Sequence, residues 1–354
     1  MSSLFIATNR NPKQFWSDPS FVYRCGNLGC SLQKQRQYFD FLHITRLSWF
    51  DIPKLTNFHR PRQNPRFHIL LHWLKLRGSK ITTDFDDLIF DPEYAKYSPG
   101  VLNQSLSFEK TLRNYKSHYK ALAKIDLVTV STEPLREHVL RLWPDKQVLV
   151  LPNAVHYSWR KQFDHEPVPS IDWQRPIITY LPGTRSHDRD FAVFADGLAR
   201  FLHDHPQVQL QITGPLNIKL PVPVRPEQLI HRDKVPFAEY RKHIQTAWVN
   251  LAPLEDTPFT RCKSALKVIE AGYWGKPTLC SPNPDAERFV GSGAIMIEDN
   301  DQLYAELKKL LDPDYYQVQV QGLRERVLHL SDVDQFAQRF LEWVGVESND
   351  KTTA

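Results

Sequence analysis

Leu251-Ala-Pro-Leu-Glu-Asp-Thr-Pro-Phe-Thr-Arg-Cys-Lys-Ser-Ala-Leu-Lys-Val-Ile-Glu-Ala-Gly-Tyr-Trp-Gly-Lys-Pro-Thr-Leu-Cys-Ser281 is the stretch on which the fold of this 354-residue chain turns. Its apolar start reads as the end of a strand, and a short loop carries the chain to a helix opening near Lys263-Ser264 and running to Gly272. A second strand follows at Lys276-Pro-Thr-Leu-Cys-Ser. Strand, helix and strand in that order are a βαβ unit of a parallel sheet. Unpaired amides and the positive dipole end at the helix start suit a phosphate. Lys263 adds a charge there and Ser264 a hydroxyl donor. Lys267 and Glu270, four and seven residues beyond Lys263, fall on the same helical face. On that face a carboxylate can accept from ribose hydroxyls while phosphates sit at the helix tip. The same spacing also fits an ordinary capped amphipathic helix with a Lys267–Glu270 surface pair.

Outward from this unit the alternation continues. Pro176-Ile-Ile-Thr-Tyr-Leu-Pro-Gly predicts a strand entering a glycine turn, and Asp190 to His205 an amphipathic helix. Strands are predicted at Val208 to Gly214 and from Trp248, with a helix at Phe237 to Thr246 between them. Helices near Asp301–Leu311, Asp314–Leu328 and Val333–Val344 precede a polar tail. In the first half, strands are expected at Leu4 to Ala7, Lys80 to Asp87, Leu127 to Thr132 and from Gln147. Helices are expected at Pro65–Arg77, stopped by Gly78, at Glu109–Lys124 and at Glu133–Leu142. Tyr23-Arg-Cys-Gly-Asn-Leu-Gly reads as a loop leading to a helix, and the Pro-rich polar run from His156 to Arg175 as a linker.

Composition sets outer limits. A hydrophobic fraction of 41% and a charged fraction of 24% belong to a folded globular chain. No apolar run approaches the roughly 20 residues that span a bilayer. Met1-Ser-Ser-Leu-Phe-Ile-Ala-Thr lacks the basic and long apolar regions of a secretory signal, so a cytoplasmic location is expected. Cys25, Cys30, Cys262 and Cys280 are irregularly spaced and read as reduced thiols, without the second pair a zinc site needs. The net charge of +5 is uneven: Lys54, Arg60, Arg62, Arg66, Lys75, Arg77 and Lys80 lie between Ile52 and Thr83 with no acid among them. Interleaved with apolar residues, they suit the inner face of an anionic membrane or a phosphate-bearing ligand, or else the solvated face of a buried helix. No nucleic-acid-binding motif accompanies them.

Three further groups carry chemistry. In Tyr180-Leu-Pro-Gly-Thr-Arg-Ser-His-Asp-Arg-Asp-Phe, Gly183 permits close backbone approach, and Thr184, Arg185 and His187 offer donors to a diphosphate. The same turn also reads as a helix cap with Asp188 or Asp190. Asp84, Asp86 and Asp87 close a strand, as a base or acceptor ligand (Asp84 and Asp86) or as strand-end caps, the second being preferred for Asp87. Arg24 faces the cleft to bind an acidic acceptor, or lies on the surface. No metal site is expected.

Together the Gly183–His187 loop and the Lys263–Glu270 block resemble the nucleotide-sugar glycosyltransferases of the GT-B fold, in a retaining family 4-like branch tied to bacterial surface polysaccharides. Thr83-Asp-Phe-Asp-Asp, Asp126-Leu-Val-Thr-Val-Ser-Thr and Leu151-Pro-Asn-Ala carry the likeness into the first half, from about Tyr23 to Ser281. The resemblance implies an α/β fold of GT-B architecture, two Rossmann-like domains facing a central cleft. It implies an acceptor-binding domain at 1–157, a linker at 158–175, a nucleotide-sugar domain at 176–330, and a last helix and tail at 331–354 packing back on the first domain. It makes Gly183, Thr184, His187, Lys263 and Ser264 phosphate contacts and Glu270 the ribose ligand. Its catalytic residues would be Lys263, His187 and Asp86. The implied reaction transfers a sugar with retention to a glycan or lipid-linked acceptor, without metal or other cofactor, a leaving phosphate oxygen taking the acceptor proton. Many relatives carry a glutamate eight residues before the ribose glutamate, where this chain has Cys262. The rival expectations are a nucleotide-sugar epimerase of the same architecture, for which no acid/base pair stands out in the sequence, and a silent binding subunit.

Overall fold

The computed structural model describes residues 4–8, 13, 15–35, 37, 39–44, 53–183, 187–217 and 220–346. Its strands form two parallel six-stranded sheets. The first contains β1 (Leu4–Thr8), β2 (Phe39–His43), β3 (Leu55–His59), β4 (Lys80–Phe85), β5 (Leu127–Val130) and β6 (Gln147–Val150), in the order β2-β1-β3-β4-β5-β6. The second contains β7 (Ile177–Tyr180), β8 (Gln209–Thr213), β9 (Leu229–Arg232), β10 (Val249–Ala252), β11 (Thr278–Cys280) and β12 (Ala294–Met296), in the order β12-β11-β10-β7-β8-β9. Two Rossmann-like α/β domains therefore face one another across a cleft.

Each sheet carries a buried polar row that its register lines up. Asn250 is paired with Thr179 on one side and Thr278 on the other. Its side chain bonds both hydroxyls and reaches the Lys267 carbonyl, tying the following helix to the sheet. In the first sheet Asp84 lies between His59 and Thr129, and both hydrogen-bond its carboxylate, at 3.1 and 2.8 Å. A buried polar group without partners costs several kilocalories per mole, so these rows specify register as well as stabilise it.

Apolar packing covers both faces. Phe191, Phe194, Phe201, Trp248, Leu303 and Leu307 belong to the core of the second half. Phe58, Phe67, Leu70 and Leu74 seat the helix Pro65–Leu76 on the first sheet. The last helix, Val333–Val344, crosses back to the first half, burying Ala337, Phe340, Leu341 and Val344 against Leu28, Leu32, Leu55 and Leu151.

Several local expectations change. Tyr23 to Gly29 is helical rather than a loop: a π-helical turn, Val22–Gly26, runs straight into the helix Asn27–Lys34. The Asn27 side chain fastens it by donating to the Ala154 and Val155 carbonyls and accepting from the Tyr157 amide. The stretch read as a linker contains the helix Tyr157–Phe163, with Trp159 buried among residues of the second half. The helix expected over 190–205 is two, Asp188–Ala192 and Ala195–Asp204, because Phe191 and Phe194 both turn into the core. The one expected over 314–328 breaks at Gly322, whose φ of 63° a side chain would strain. The helix after β10 begins at Leu266, behind a 3-10 turn over Thr260–Cys262.

Candidate active site

Strand order locates the cleft. In the second sheet the chain leaves β7 in one direction for β8 and β9, then returns to the other side of β7 with β10. In the first sheet it departs from β1 in the same way, with β3 on the far side from β2. Loops diverge at the carboxyl ends of such strands and leave a crevice for a ligand. The loop after β7 holds Gly183 and His187, and the segment after β10 holds Lys263, Ser264, Lys267 and Glu270. Facing them, the segment after β3 holds Arg60 and that after β4 holds Asp86 and Asp87.

On the second-half wall Gly183 is exposed, with nothing within 4 Å of where a Cβ would stand, and its carbonyl accepts from Lys234 at 3.1 Å. Thr184 and Arg185 lie outside the described residues. His187 Nδ1 is 2.8 Å from Asp190, whose other oxygen accepts from the Glu255 amide at 2.9 Å. Burial, with help from nearby Lys267 and Lys263, lowers the His187 pKa against the pull of Asp190. One expectation is corrected at the helix start. The Ala265 amide is not open to a ligand, because it donates to Asp285 at 2.8 Å, and Arg288 holds that carboxylate from its other side. Lys267, in the first turn, has no hydrogen-bond or ion-pair partner among the described residues. Burial lowers its pKa, with Glu270 and Asp190 opposing.

Glu270 is buried rather than on the surface. One of its oxygens accepts from the Tyr23 hydroxyl and the other from Tyr240 at 3.1 Å. Burial raises its pKa in spite of those bonds and of Lys267. Tyr23 comes from the first half. So does Asn153, which donates to Ser264 Oγ at 2.8 Å, and Asp87, whose Oδ1 accepts from Lys263 Nζ at 2.7 Å. Three of the groups read as donor contacts are thus held by partners from the opposite wall.

The first-half wall is a chain of charges. Arg24 is buried in the π-helical turn rather than lying on the surface. Its Nε and Nη2 bond Asp84 at 3.2 and 2.7 Å, and its Nη1 bonds the Leu151 carbonyl and Asn153. Asp84, expected as a base or acceptor ligand, is buried and bonded to Arg24, His59 and Thr129. Burial alone would raise its pKa, but Arg24 and the His59 bond hold it well below the usual range. Asp86 accepts from Ser20 Oγ at 2.7 Å and from Arg60 Nε. Asp87 is not a strand-end cap: Lys263 takes one oxygen and Arg60 Nη2 the other, at 2.5 Å. Arg60 forks between the two carboxylates from a backbone φ of 46°, a left-handed geometry that a non-glycine residue adopts at a cost of about 1–3 kcal/mol. Strain of that kind concentrates where side chains are aimed for function.

Sequence reading missed Tyr23, Asn153, Arg60, His59, Ser20 and Tyr240. Arg60-Pro61 at a strand end and Asn153 inside Leu151-Pro-Asn-Ala were the available signals. Cys262, where relatives of the resembled family carry glutamate, is 2% exposed and packs with Phe259 among Phe85, Leu88, Phe90 and Val130 of the first half. Burial pushes its thiol up to about 12. It is an apolar contact between the domains. Among the described residues no cluster of three or more His, Cys, Asp or Glu is placed to hold a metal, and no helix is long and apolar enough to cross a membrane.

No family model matches this chain, and no curated protein matches it. Solved structures do. Anabaena HepE, in complex with UDP and glucose, is similar at a TM-score of 0.60 and 10% identity, over 97% of this chain and 100% of HepE. TarM is similar at 0.58 and 10% identity, over 82% of this chain; the match spans only 54% of TarM. UDP-GlcNAc 2-epimerase from Neisseria meningitidis, bound to UDP-GlcNAc, is similar at 0.50 and 12% identity, over 98% of this chain and 100% of the epimerase. At such identities the likeness establishes the GT-B fold.

Proposed function

We propose that this chain is a GT-B enzyme acting on a nucleotide sugar, with the diphosphate at Lys263, Ser264 and Lys267 and the ribose at Glu270. The observation that carries the proposal is Lys267. An ammonium with no hydrogen-bond or ion-pair partner among the described residues, in the first turn of the helix after the switch-point strand β10, is suited to an anion. Glu270, one turn on, offers a carboxylate to the ribose. The loop at Gly183, Thr184, Arg185 and His187 completes the phosphate cradle. HepE and the Neisseria epimerase, which share the fold, are seen with UDP and with UDP-GlcNAc.

In the first chemical step, breaking the sugar–oxygen bond builds charge on the departing nucleoside diphosphate. Lys263, Lys267 and the helix end stabilise that charge, with no metal required. Transfer to a glycan or lipid-linked acceptor, with retention, is the outcome suggested by the family resemblance. In it, residues 1–157 hold the acceptor, 176–330 hold the donor, and the basic stretch of the first domain rests on the inner face of an anionic membrane.

Epimerisation of the nucleotide sugar is the second reading, and a specific observation favours it. Asp86, already a base candidate in the sequence, and Asp87 are bridged by Arg60, and Asp87 pairs with Lys263 across the cleft, so two neighbouring carboxylates stand beside the proposed phosphate site. A metal-free thermal-shift screen with UDP, GDP, dTDP, CMP and their sugar conjugates tests the common ground, since a ligand of the folded state must raise the melting temperature. Product analysis by NMR then decides the outcome. Free nucleoside diphosphate plus a new glycoside marks transfer, and an isomeric sugar without acceptor marks epimerisation. Binding without turnover marks a silent binding subunit. No shift with any nucleotide would overturn the proposal.

A further inference from the structure

Behind Asp86 lies a chain of hydrogen bonds that the reaction outlined above does not use. The β3–β4 register sets His59 beside Asp84, and the His59 ring, fully buried, places Nδ1 3.1 Å from Asp84 Oδ2. Its Nε2 lies 3.0 Å from Ser20 Oγ, and Ser20 Oγ lies 2.7 Å from Asp86 Oδ2. Ser20 belongs to the helical turn capped by Asp18, whose side chain accepts the Ser20 amide at 3.0 Å. The edge of Phe21, from the same turn as Asp18, Arg24 and Cys25, packs on the ring, β1 runs beside it with Thr8 paired to His59, β4 and its loop carry Asp84 and Asp86, and Arg60 follows it at the end of β3.

Counting protons gives the chain its meaning. Ionised carboxylates only accept, so each of the three links needs one proton from a donor. A neutral imidazole would supply one, toward Asp84, and the serine hydroxyl one, so the chain with a neutral ring has room for one further proton, which an imidazolium would carry on Nε2. We propose that Ser20 and His59 form a proton relay behind Asp86, which takes a proton from the substrate at the cleft and stores it on the buried ring. The proposal rests on reading the cleft as a nucleotide-sugar site.

The step balances. A substrate hydroxyl bonds to the sugar carbon as the bond from that carbon to the diphosphate oxygen breaks, and the hydroxyl proton goes to Asp86. Asp86 gives its proton to Ser20 Oγ while Ser20 gives its own to His59 Nε2. Asp86 is again ionised, the serine is intact, and an imidazolium faces the Asp84 carboxylate. The nucleoside diphosphate leaves with the bonding electron pair. The reverse shift returns the proton, so the same residues make Asp86 an acid when the reaction runs backwards. Asp86 touches the substrate; Ser20 and His59 act through it as positioning residues.

The test compares Ser20→Ala and Ser20→Thr with the parent chain. The readout is release of nucleoside diphosphate from UDP-glucose, UDP-GlcNAc and their GDP and dTDP counterparts between pH 5 and 9. Loss of the middle link should lower kcat about a hundredfold, within the range for general acid–base catalysis. KM and the UDP-induced thermal shift should stay within about twofold. The acid limb of kcat should move as well, because a proton taken at the cleft can then no longer pass to the ring. Threonine, which keeps the hydroxyl, should restore both rate and limb. A Ser20→Ala chain with the parental kcat and pH profile overturns the relay while leaving the donor site standing. Absence of release from every nucleotide sugar by the parent chain overturns the donor-site reading and the relay with it.

Discussion

Lys263 Nζ lies 2.7 Å from Asp87 Oδ1, an ion pair that joins the two halves of the chain across the cleft. The carboxylate stands where the proposed function puts a phosphate. Removing its charge should free the ammonium for the nucleotide. Asp87→Asn is expected to tighten UDP binding about threefold to tenfold, and Lys263→Ala to weaken it about tenfold to a hundredfold, the value of a charged hydrogen bond. Isothermal titration of both variants checks the pair. Equal affinities in all three proteins would mean that UDP does not meet Lys263.

Acid sensitivity follows from the same wall. Burial tends to raise the pKa values of Asp84 and Asp87, but their cations (Arg24 for the first, Lys263 and Arg60 for the second) win and hold both below the usual carboxylate range. A folded pKa below the unfolded one means stability that is complete above the unfolded value, about 3.9, and lost as pH falls below it. Urea midpoints should therefore drop between pH 5 and pH 3, and less steeply in Asp84→Asn. At neutral pH that variant should lose about 3–5 kcal/mol, because it strands Arg24 in the interior.

Glu270 has the opposite sign. Its folded pKa is raised, so folding takes up a proton, and stability falls as pH rises through the unfolded value to the folded one. Glu270→Gln should therefore melt higher than the parent at pH 8 and no higher at pH 4. It should also bind UDP about tenfold more weakly through loss of the ribose contact. A variant less stable at pH 8 would show that the tyrosine bonds outweigh the burial.

The thiols report on the cleft. Cys25, Cys262 and Cys280 are buried, while Cys30 is partly exposed, and burial pushes the Cys262 and Cys280 thiols up to about 12. The thiolate is the reactive form. A disulfide reagent at pH 8 should label Cys30 first and the other three slowly. In Asp87→Asn, with the cross-cleft pair gone, Cys262 should gain reactivity relative to Cys25 and Cys280. Unchanged ordering, read by peptide mass spectrometry, would show that the ion pair does not hold the domains together.

Much of the fold was legible in the residues. The helices Glu133–Leu142 and Val333–Val344 and the strands at β4, β5, β7, β8 and β10 follow from apolar periodicity and from stop signals such as Gly78, which act within a few residues. Strands β2, β3, β9 and β12 were not read. β9 is only half-buried, and β3 mixes apolar Leu55 and Phe58 with polar Thr56, Asn57 and His59 without a regular period yet is buried throughout, Asn57 accepting from Thr82 and His59 meeting Asp84 and Ser20 from elsewhere in the chain.

The sequence by itself determined the α/β alternation and the strand–turn–helix at Lys263 to Glu270, because backbone geometry and helix dipoles depend on local order. Only the tertiary structure decided which groups meet. Asp87 and Lys263 are 176 residues apart and Tyr23 and Glu270 are 247 apart, and each pair forms because two separately wound sheets present their carboxyl ends to one cleft. The surroundings of Asp84 were decided in the same way, by the register that sets it between His59 and Thr129, with Arg24 bonded to its carboxylate.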